Sequence, residues 1–309
     1  MSPASQRQCG LSRAAIERLQ HAAGEVPTGW IRWLAEPDHR IVVFGSPCYP
    51  PLLSAIDDAP VALWVDGRDP ELLGEPQLAI VGSRHPTQNG KLTAEGFARA
   101  VAASGLTVTS GLAAGIDTAS HIGALTDPNG ATIAVLGSGI DSIYPRANAE
   151  LAARIRQRGL VVSEYAPGTP VRARQFPARN RIIAGLALGT LVVEATQRSG
   201  SLITAKLANE CGREVFAVPG SIHSALSKGC HKLIADGAKL TADAARILDE
   251  IAPLEAGQHI DVEAYRVENS IEGARLSVKM KDGSATSLVD PKQFAGYGAD
   301  GDSGTVLLK

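Results

Sequence analysis

Four arginines, Arg172, Arg174, Arg179 and Arg181, crowd one stretch of the chain around a single aromatic, Phe176, and an amide, Asn180. Guanidinium groups grip phosphates, and aromatic rings stack on bases. An apolar run, Ile182, Ile183 and Ala184, follows directly, so the stretch enters a buried element. Two readings are open for it. It is the edge of a pocket for single-stranded nucleic acid, or it is a solvated basic loop leading into a buried helix.

Other small clusters could meet a phosphate. They are Gly82-Ser83-Arg84, Ser110-Gly111 with Gly115 and Asp117, Gly137-Ser138-Gly139, and Ser199-Gly200-Ser201. Glycine lets backbone amides approach an anion, and a helix N-terminus adds about half a positive charge. Arg84 supplies a full charge. No cluster completes a known nucleotide fingerprint. Gly137-x-Gly139 lacks a third glycine, since position 142 is Ser, and no Gly-Lys-Ser/Thr follows Gly111 to Gly115. Asp117 and His121, four apart, share a helix face. They are an acid/base pair, or a carboxylate on a helix dipole beside a packed His. Glu164 and Glu194 are paired acids, or each orders the arginines or caps a loop. His223, Cys230 and His231 lack a fourth ligand for a metal. No cofactor is expected.

The elements that would position these residues follow from periodicity. Six short apolar runs, Leu78–Gly82, Leu106–Ser110, Ala131–Leu136, Leu160–Glu164, Thr190–Glu194 and Glu214–Val218, alternate with helical patterns. Those helices fall over 90–104, 118–126, 146–158 and 178–187, with a fifth ending near Cys211. Such alternation predicts a doubly wound, mostly parallel α/β sheet of Rossmann-like kind, with ligands outside the carboxyl ends of the strands. Every cluster named above lies at such an end. Upstream, short helices are expected over residues 12–23 and around Trp30, Trp33 and Leu34, then strands at Arg40–Gly45 and Ala62–Asp66. Downstream, helices are expected at Ser227–Ile234 and Asp243–Ile251, and a hairpin joins Ala274–Met280 to Ser284–Val289 through Asp282-Gly283. Residues 294–303 are expected to be flexible. The expected division is 1–39 as a small helical segment, 40–252 as the Rossmann-like domain, and 253–309 as a tail without the periodicity of a winged helix.

Length and composition set limits. The chain has 309 residues, enough for about two domains. Its formal net charge is −2, so any nucleic-acid contact must come from a local patch rather than a global field. Four scattered cysteines without a Cys-x-x-Cys pair argue for free thiols in a reducing cytosol. The polar N-terminus predicts no secretory signal, and no run of about 18 apolar residues predicts a membrane span.

Six motifs in this order resemble the bacterial DNA-processing protein A family (DprA/Smf). They are Ile80-Val-Gly-Ser-Arg84, Ser110-Gly-Leu-Ala-Ala-Gly-Ile-Asp117 with Ala119 and His121, Phe176-Pro-Ala-Arg-Asn-Arg-Ile-Ile-Ala-Gly185, Val193-Glu-Ala195, Ser199-Gly-Ser-Leu202 with Thr204-Ala205, and Gly212-Arg-Glu-Val-Phe-Ala-Val-Pro-Gly220. The similarity spans residues 40–250. It implies an extended Rossmann fold without NAD chemistry, binding of single-stranded DNA in a positive pocket, homodimerisation, and loading of the RecA recombinase during natural transformation. Carried over by position, Arg84 holds phosphate, Phe176 contacts a base, and Arg174 or Arg172 contacts the backbone. One of Arg179 and Arg181 faces DNA, and the other pairs internally. Ser83, Ser110, Gly111, Gly115, Asn180, Ser199, Gly200 and Ser201 complete the expected DNA-binding set. His231 stands where family members commonly have Asn. The alternative function is a nucleotide hydrolase or a nucleotide-sensing module. The hydrolase reading is weakened because Arg198 to Thr204 lacks the Gly-Gly-x-Gly-Thr-x-x-Glu loop of such enzymes.

Overall fold

The computed structural model describes residues 26–255 and, beyond them, the backbone of residues 259–270, 273–280, 287–289, 294–297 and 305–308. The helix expected over 12–23 lies outside the described residues. The chain opens with α1 (Thr28–Leu34), β1 (His39–Val43), α2 (Pro51–Ser54), β2 (Ala62–Asp66), β3 (Gln77–Val81) and α3 (Gln88–Ala103). Next come β4 (Thr107–Ser110), α4 (Ile116–Thr126), β5 (Thr132–Leu136), α5 (Ala149–Arg158) and β6 (Leu160–Ser163). Then follow α6 (Gln175–Leu186), β7 (Gly189–Val192), α7 (Ser201–Glu210), β8 (Glu214–Ala217), α8 (Lys228–Ala235), β9 (Lys239–Leu240) and α9 (Ala244–Glu255).

Nine strands form one sheet in the order β1-β2-β6-β5-β4-β3-β7-β8-β9. From β6 to β9 every neighbouring pair is parallel. The β1–β2 and β2–β6 pairs are antiparallel, which extends the parallel sheet by a hairpin. The result is the expected Rossmann-like, mostly parallel architecture. The sequence reading did not foresee the antiparallel edge or the two-residue strand β9, which is too short to leave a periodic signal.

Every residue of β3, β4, β5, β6 and β7 is buried. A strand covered on both faces has no polar side to show, which is why most of these segments read as apolar runs; β4 is the exception, with the Thr109 hydroxyl on Gln77 and the Ser110 hydroxyl on the Ile80 carbonyl. Ala79 and Val81 of β3 pack with Ile182, Ile183 and Leu186 of α6. Leu78 and Ile80 of the same strand pack on the other face with Phe97 and Val101 of α3 and with Ile116 of α4. A third cluster, Leu136, Val161 and Ile155 among its members, lies under α5. Trp30 and Trp33 of α1 set their rings edge-on to Trp64 of β2 (5.0 and 5.5 Å between centroids). Trp33 also stacks on His39, whose Nε2 reaches Asp66 at 3.3 Å beside Arg156.

The strand order reverses between β3 and β7. The chain steps outward from β3 to β6, and α6 then carries it back across β5, β4 and β3. This reversal opens a crevice at the carboxyl ends of β3 and β7. Helix α6 begins at Gln175, three residues before the start the sequence suggested. Pro177 does not stop it there. The first four amides of a helix have no partner within it, so the amide that proline lacks is not missed. Phe176 therefore sits on the first helical turn and not in the loop.

In the tail, β10 (His259–Ser270), β11 (Gly273–Met280), β12 (Ser287–Val289), β13 (Phe294–Tyr297) and β14 (Thr305–Leu308) form a second, antiparallel sheet in the order β12-β11-β10-β14-β13. The expected hairpin is present as the β11–β12 pair, with its Asp282-Gly283 turn outside the described residues. Residues 294–297, expected to be flexible, instead form β13 against β14. Backbone pairing there overrides a Gly- and Ala-rich composition.

Helices α3 and α4 approach closely at Gly123, where a Cβ would lie 2.4 Å from the Glu95 carbonyl oxygen. Gly123→Ala must push the helices apart. It is expected to cost about 1–3 kcal/mol, read as a lower urea midpoint at unchanged slope.

Candidate functional site

The crevice at the switch point is a cavity of about 410 Å³, lined by the ends of β3 and β7 and by the first turns of α6 and α7. Of the residues expected there, Ser83, Arg84, Phe176, Arg179, Asn180, Ser199, Gly200 and Ser201 line it. Asp117, Thr196, Ile183 and Ile203 complete much of the wall. Its two sides are fastened together. The Ser83 amide donates to the Glu194 carbonyl (2.6 Å), and Thr87 donates to the Glu194 carboxylate from its amide (2.8 Å) and its hydroxyl (2.6 Å). Glu194 thus caps the loop that leads into α3. Ser199 and Ser201 share a hydrogen bond (2.7 Å), and Asn180 donates to the Gly200 carbonyl (3.4 Å).

The four arginines of the basic stretch divide in a way their spacing conceals. Arg179 is buried. It donates to the carbonyl oxygens of Gly111 (2.7 Å) and Val135 and, through Nε, to Asn180 (3.2 Å). Burial pulls its guanidinium down to about 10, with the Asp117 charge opposing that loss. Arg181 grips Glu164 with both terminal nitrogens (3.0 and 2.5 Å) and reaches the Asp58 carbonyl through Nε (2.8 Å). Arg179 is thus held inside the protein while still lining the cavity, and Arg181, outside the lining, is engaged with Glu164 and Asp58. A helix starting at Gln175 turns Arg179 toward the sheet, and Glu164 at the end of β6 meets Arg181. Arg172 and Arg174 are exposed, with no carboxylate within ion-pair distance among the described residues, and lie outside the cavity lining.

Phe176 is half-buried at the mouth of the cavity. The exposed Arg84 places its guanidinium carbon 5.8 Å from the ring centroid. Gly137 forms the seat beneath the ring, since a Cβ there would lie 2.9 Å from the Phe176 Cδ1. Tyr144 stands beside it, with centroids 5.4 Å apart and planes tilted by 53°.

Three expected contacts take other roles. Ser110 is buried and donates its hydroxyl to the Ile80 carbonyl (2.6 Å). Gly111 lies under Arg179, where a Cβ would come within 2.5 Å of the guanidinium. Gly115, at φ +88°, turns into α4 with the Ser83 carbonyl 2.4 Å from the position of a Cβ. None of the three lines the cavity, because at each the neighbouring backbone or Arg179 leaves no room for a ligand.

Asp117 and His121 are not an acid/base pair. Asp117 sits in the first turn of α4 and accepts from the Ala113 amide (3.3 Å). Burial pushes its carboxyl above the ordinary range, against the pull of Arg179, the Ala113 amide and Arg84. His121 is wholly buried, with Nδ1 2.7 Å from the Thr132 hydroxyl oxygen. That hydroxyl gives its proton to the Val108 carbonyl (2.6 Å), so Nδ1 is the donor and the ring is neutral. Nε2 is buried without a partner, and burial pulls the ring down to about 3, with Arg179 adding to the shift. His231 donates from Nε2 to the Gly220 carbonyl (2.9 Å) and so holds the loop after β8. No group of three or more His, Cys, Asp or Glu side chains converges as a metal site among the described residues.

Sequence reasoning passed over two residues. Tyr144 is an exposed aromatic in the loop after β5, and its position at a strand's carboxyl end was the available signal. Arg198, exposed beside Ser199, adds a further cation near the cavity.

The comparisons with known proteins bear on this site. The family model described as DNA recombination-mediator protein A matches residues 40–252. The chain belongs to that family. Its members are DNA-processing proteins, and the crevice described above lies within the matched segment. Protein Smf of Escherichia coli K12 is 44% identical over 246 residues, covering 79% of this chain and 65% of that protein. The crystal structure of DNA processing protein A from Streptococcus pneumoniae superposes with a TM-score of 0.70 at 43% identity, covering 77% of this chain and 82% of that one. A structure of DNA processing protein A from Helicobacter pylori, described for its single-stranded DNA binding mode, gives a TM-score of 0.62 at 28% identity, with 69% and 96% coverage. A second model, the alpha-beta insertion domain of malate synthase G, matches residues 235–309.

Two expected outcomes follow from the buried charges. Arg179→Ala leaves the buried Gly111 and Val135 carbonyls without the donor they share and should cost at least about 1–3 kcal/mol in urea denaturation, whereas the exposed Arg84→Ala should stay within about 0.5 kcal/mol. The unfolded chain protonates His121 near its ordinary 6.5, while the folded chain refuses the proton until about pH 3. The contribution is thus complete above the ordinary value and shrinks as the pH falls, by at most about 1.4 kcal/mol per unit. Between pH 7 and 5 the wild type should lose more stability than His121→Asn.

Proposed function

We propose that this chain binds single-stranded DNA at the switch-point cavity and acts as a recombination mediator without a catalytic step of its own. One observation carries the reading. A half-buried aromatic, Phe176, stands at the cavity mouth with the Arg84 guanidinium over its face. A base can stack on such a ring once the exposed Arg84 side chain swings off the face to meet its phosphate, and the arrangement is indifferent to sequence because every base has a π-face. The exposed Arg172, Arg174 and Arg198 offer further phosphate contacts around the mouth. The Helicobacter pylori relative described for binding single-stranded DNA supports this reading.

The wider role is protection of incoming strands and loading of RecA during natural transformation, in the cytoplasm and as a homodimer. Exposed apolar side chains between residues 200 and 240, Ile222 and Leu240, support a dimer surface there. Among the described residues no helix is long and apolar enough to cross a membrane. Glu194 is occupied in holding Thr87 and Glu164 in holding Arg181, so neither of these two carboxylates is free to serve a nucleotide hydrolase.

Fluorescence titration with oligo-dT at low salt tests the reading. Wild type should bind, with affinity falling as salt rises. Phe176→Ala should weaken binding by the worth of one stacked base, about 1–3 kcal/mol. Arg84→Ala should weaken it and flatten the salt dependence by roughly 0.7 in slope. Absence of binding at low salt would overturn the proposal.

A further inference from the structure

Tyr144 is 49% exposed, and its hydroxyl makes no hydrogen bond among the described residues. An exposed aromatic is unremarkable on a floppy loop, but this loop is held at many points. Ser138 donates to the Ser142 carbonyl (2.6 Å), and Ser163 donates to the Ser138 carbonyl (2.6 Å). The Ile140 amide donates to the Tyr165 carbonyl (3.1 Å), and the Ile140 side chain is fully buried beneath. The Asp141 carboxylate accepts from the Gly168 amide (2.9 and 3.0 Å), which ties the loop to the segment after β6. On the far side Asn148 donates to the Leu112 carbonyl (2.8 Å) and the Thr118 hydroxyl (2.9 Å). The protein therefore fixes the loop that carries Tyr144 and leaves the ring half in water.

The ring lies beside Phe176, 5.4 Å between centroids, yet outside the cavity that Phe176 lines. Arg146, two residues further on, is exposed and has no carboxylate partner among the described residues. We infer that Tyr144 is a second stacking platform, which receives the base next to the one held at Phe176 as the strand leaves the cavity. This deepens the DNA-binding reading and rests on it. The 53° tilt between the rings sets the geometry. Two bases stacked one on each ring cannot remain parallel, so the strand must turn between them. Double-stranded DNA, whose adjacent bases stay parallel, cannot satisfy both rings. Two platforms at an angle thus favour a flexible single strand, apart from any base edge being read.

The test compares full-length wild type, Tyr144→Ala, Tyr144→Trp and Phe176→Ala on thymidine 5′-monophosphate and on oligo-dT of increasing length, each at several salt concentrations. Tyr144→Ala is expected to bind oligo-dT about tenfold or more weakly, from the loss of one stacked base. Its salt slope should match wild type, since no cation has been removed. Its affinity for the mononucleotide, which occupies only the cavity, should also match. Tyr144→Trp should restore oligo-dT binding, which a merely structural tyrosine would not require. If Phe176→Ala loses oligo-dT while Tyr144→Ala binds it like wild type, the second platform is overturned and the cavity reading survives. If neither variant loses affinity, the cavity reading fails and this inference fails with it.

Discussion

The buried guanidinium of Arg179 is the constraint on which the ligand end of this protein depends. Its planar fork reaches the carbonyl oxygens of Gly111, just past β4, and Val135, within β5, from a helix that crosses above both strands. Gly111 lies past the last paired residue of β4, whereas Val135 is paired with Val162 of β6, so the fork ties a loop to the middle of a strand. The arrangement accepts a desolvation cost, visible in the lowered guanidinium pKa, and offsets it with three acceptors and the Asp117 charge. Lysine presents a point charge rather than a fork, so it could not bridge the two strands in the same way. Gly111 is without a side chain for the same reason: the guanidinium occupies the space a Cβ would need.

With α6 pinned there, the remaining geometry follows. Phe176 is carried to the mouth of the crevice three residues upstream of Arg179, almost one helical turn. Gly137 leaves its ring a seat, and Arg181 on the next face locks the helix to Glu164 and Asp58. Among the described residues, the cations of this stretch without an ion-pair partner are Arg172 and Arg174, ahead of the helix. A net charge of −2 is thus compatible with a local positive rim, because the paired arginines stay inside and the unpaired ones lie at the edge.

Much of this was legible in the sequence. Strands buried on both faces leave mostly apolar runs, so the parallel sheet and its carboxyl-end loops could be placed from periodicity. Ser83, Arg84, Phe176 and Ser199 to Ser201 were accordingly assigned to one end of the sheet, where they converge. The direction of each arginine was not legible. Four guanidiniums in ten residues look alike until the helix start is known, and Pro177 reads as a barrier to the start that in fact occurs. Tyr144 was missed for a related reason. Its importance comes from proximity to a ring 32 positions away in sequence, which no local pattern records. The roles of Glu164 and Glu194 as anchors were anticipated, whereas Ser110 was assigned to the ligand only because it ends a strand.

The path of α6 has a further bearing on how the molecule can be divided. The chain builds β3 to β6 first and adds β7 to β9 afterwards, and α6 is the bridge between the two sets. One wall of the crevice, with Arg84 and Asp117, belongs to the first half, and the other, with Phe176 and Ser199 to Ser201, belongs to the second. The crevice is a seam. Neither half holds a complete recognition surface, and the two are sewn together by Glu194 reaching Thr87 and by Arg179 reaching Gly111 and Val135. The crevice therefore exists only when the chain has closed on itself, and a fragment ending before α6 would carry one wall of it.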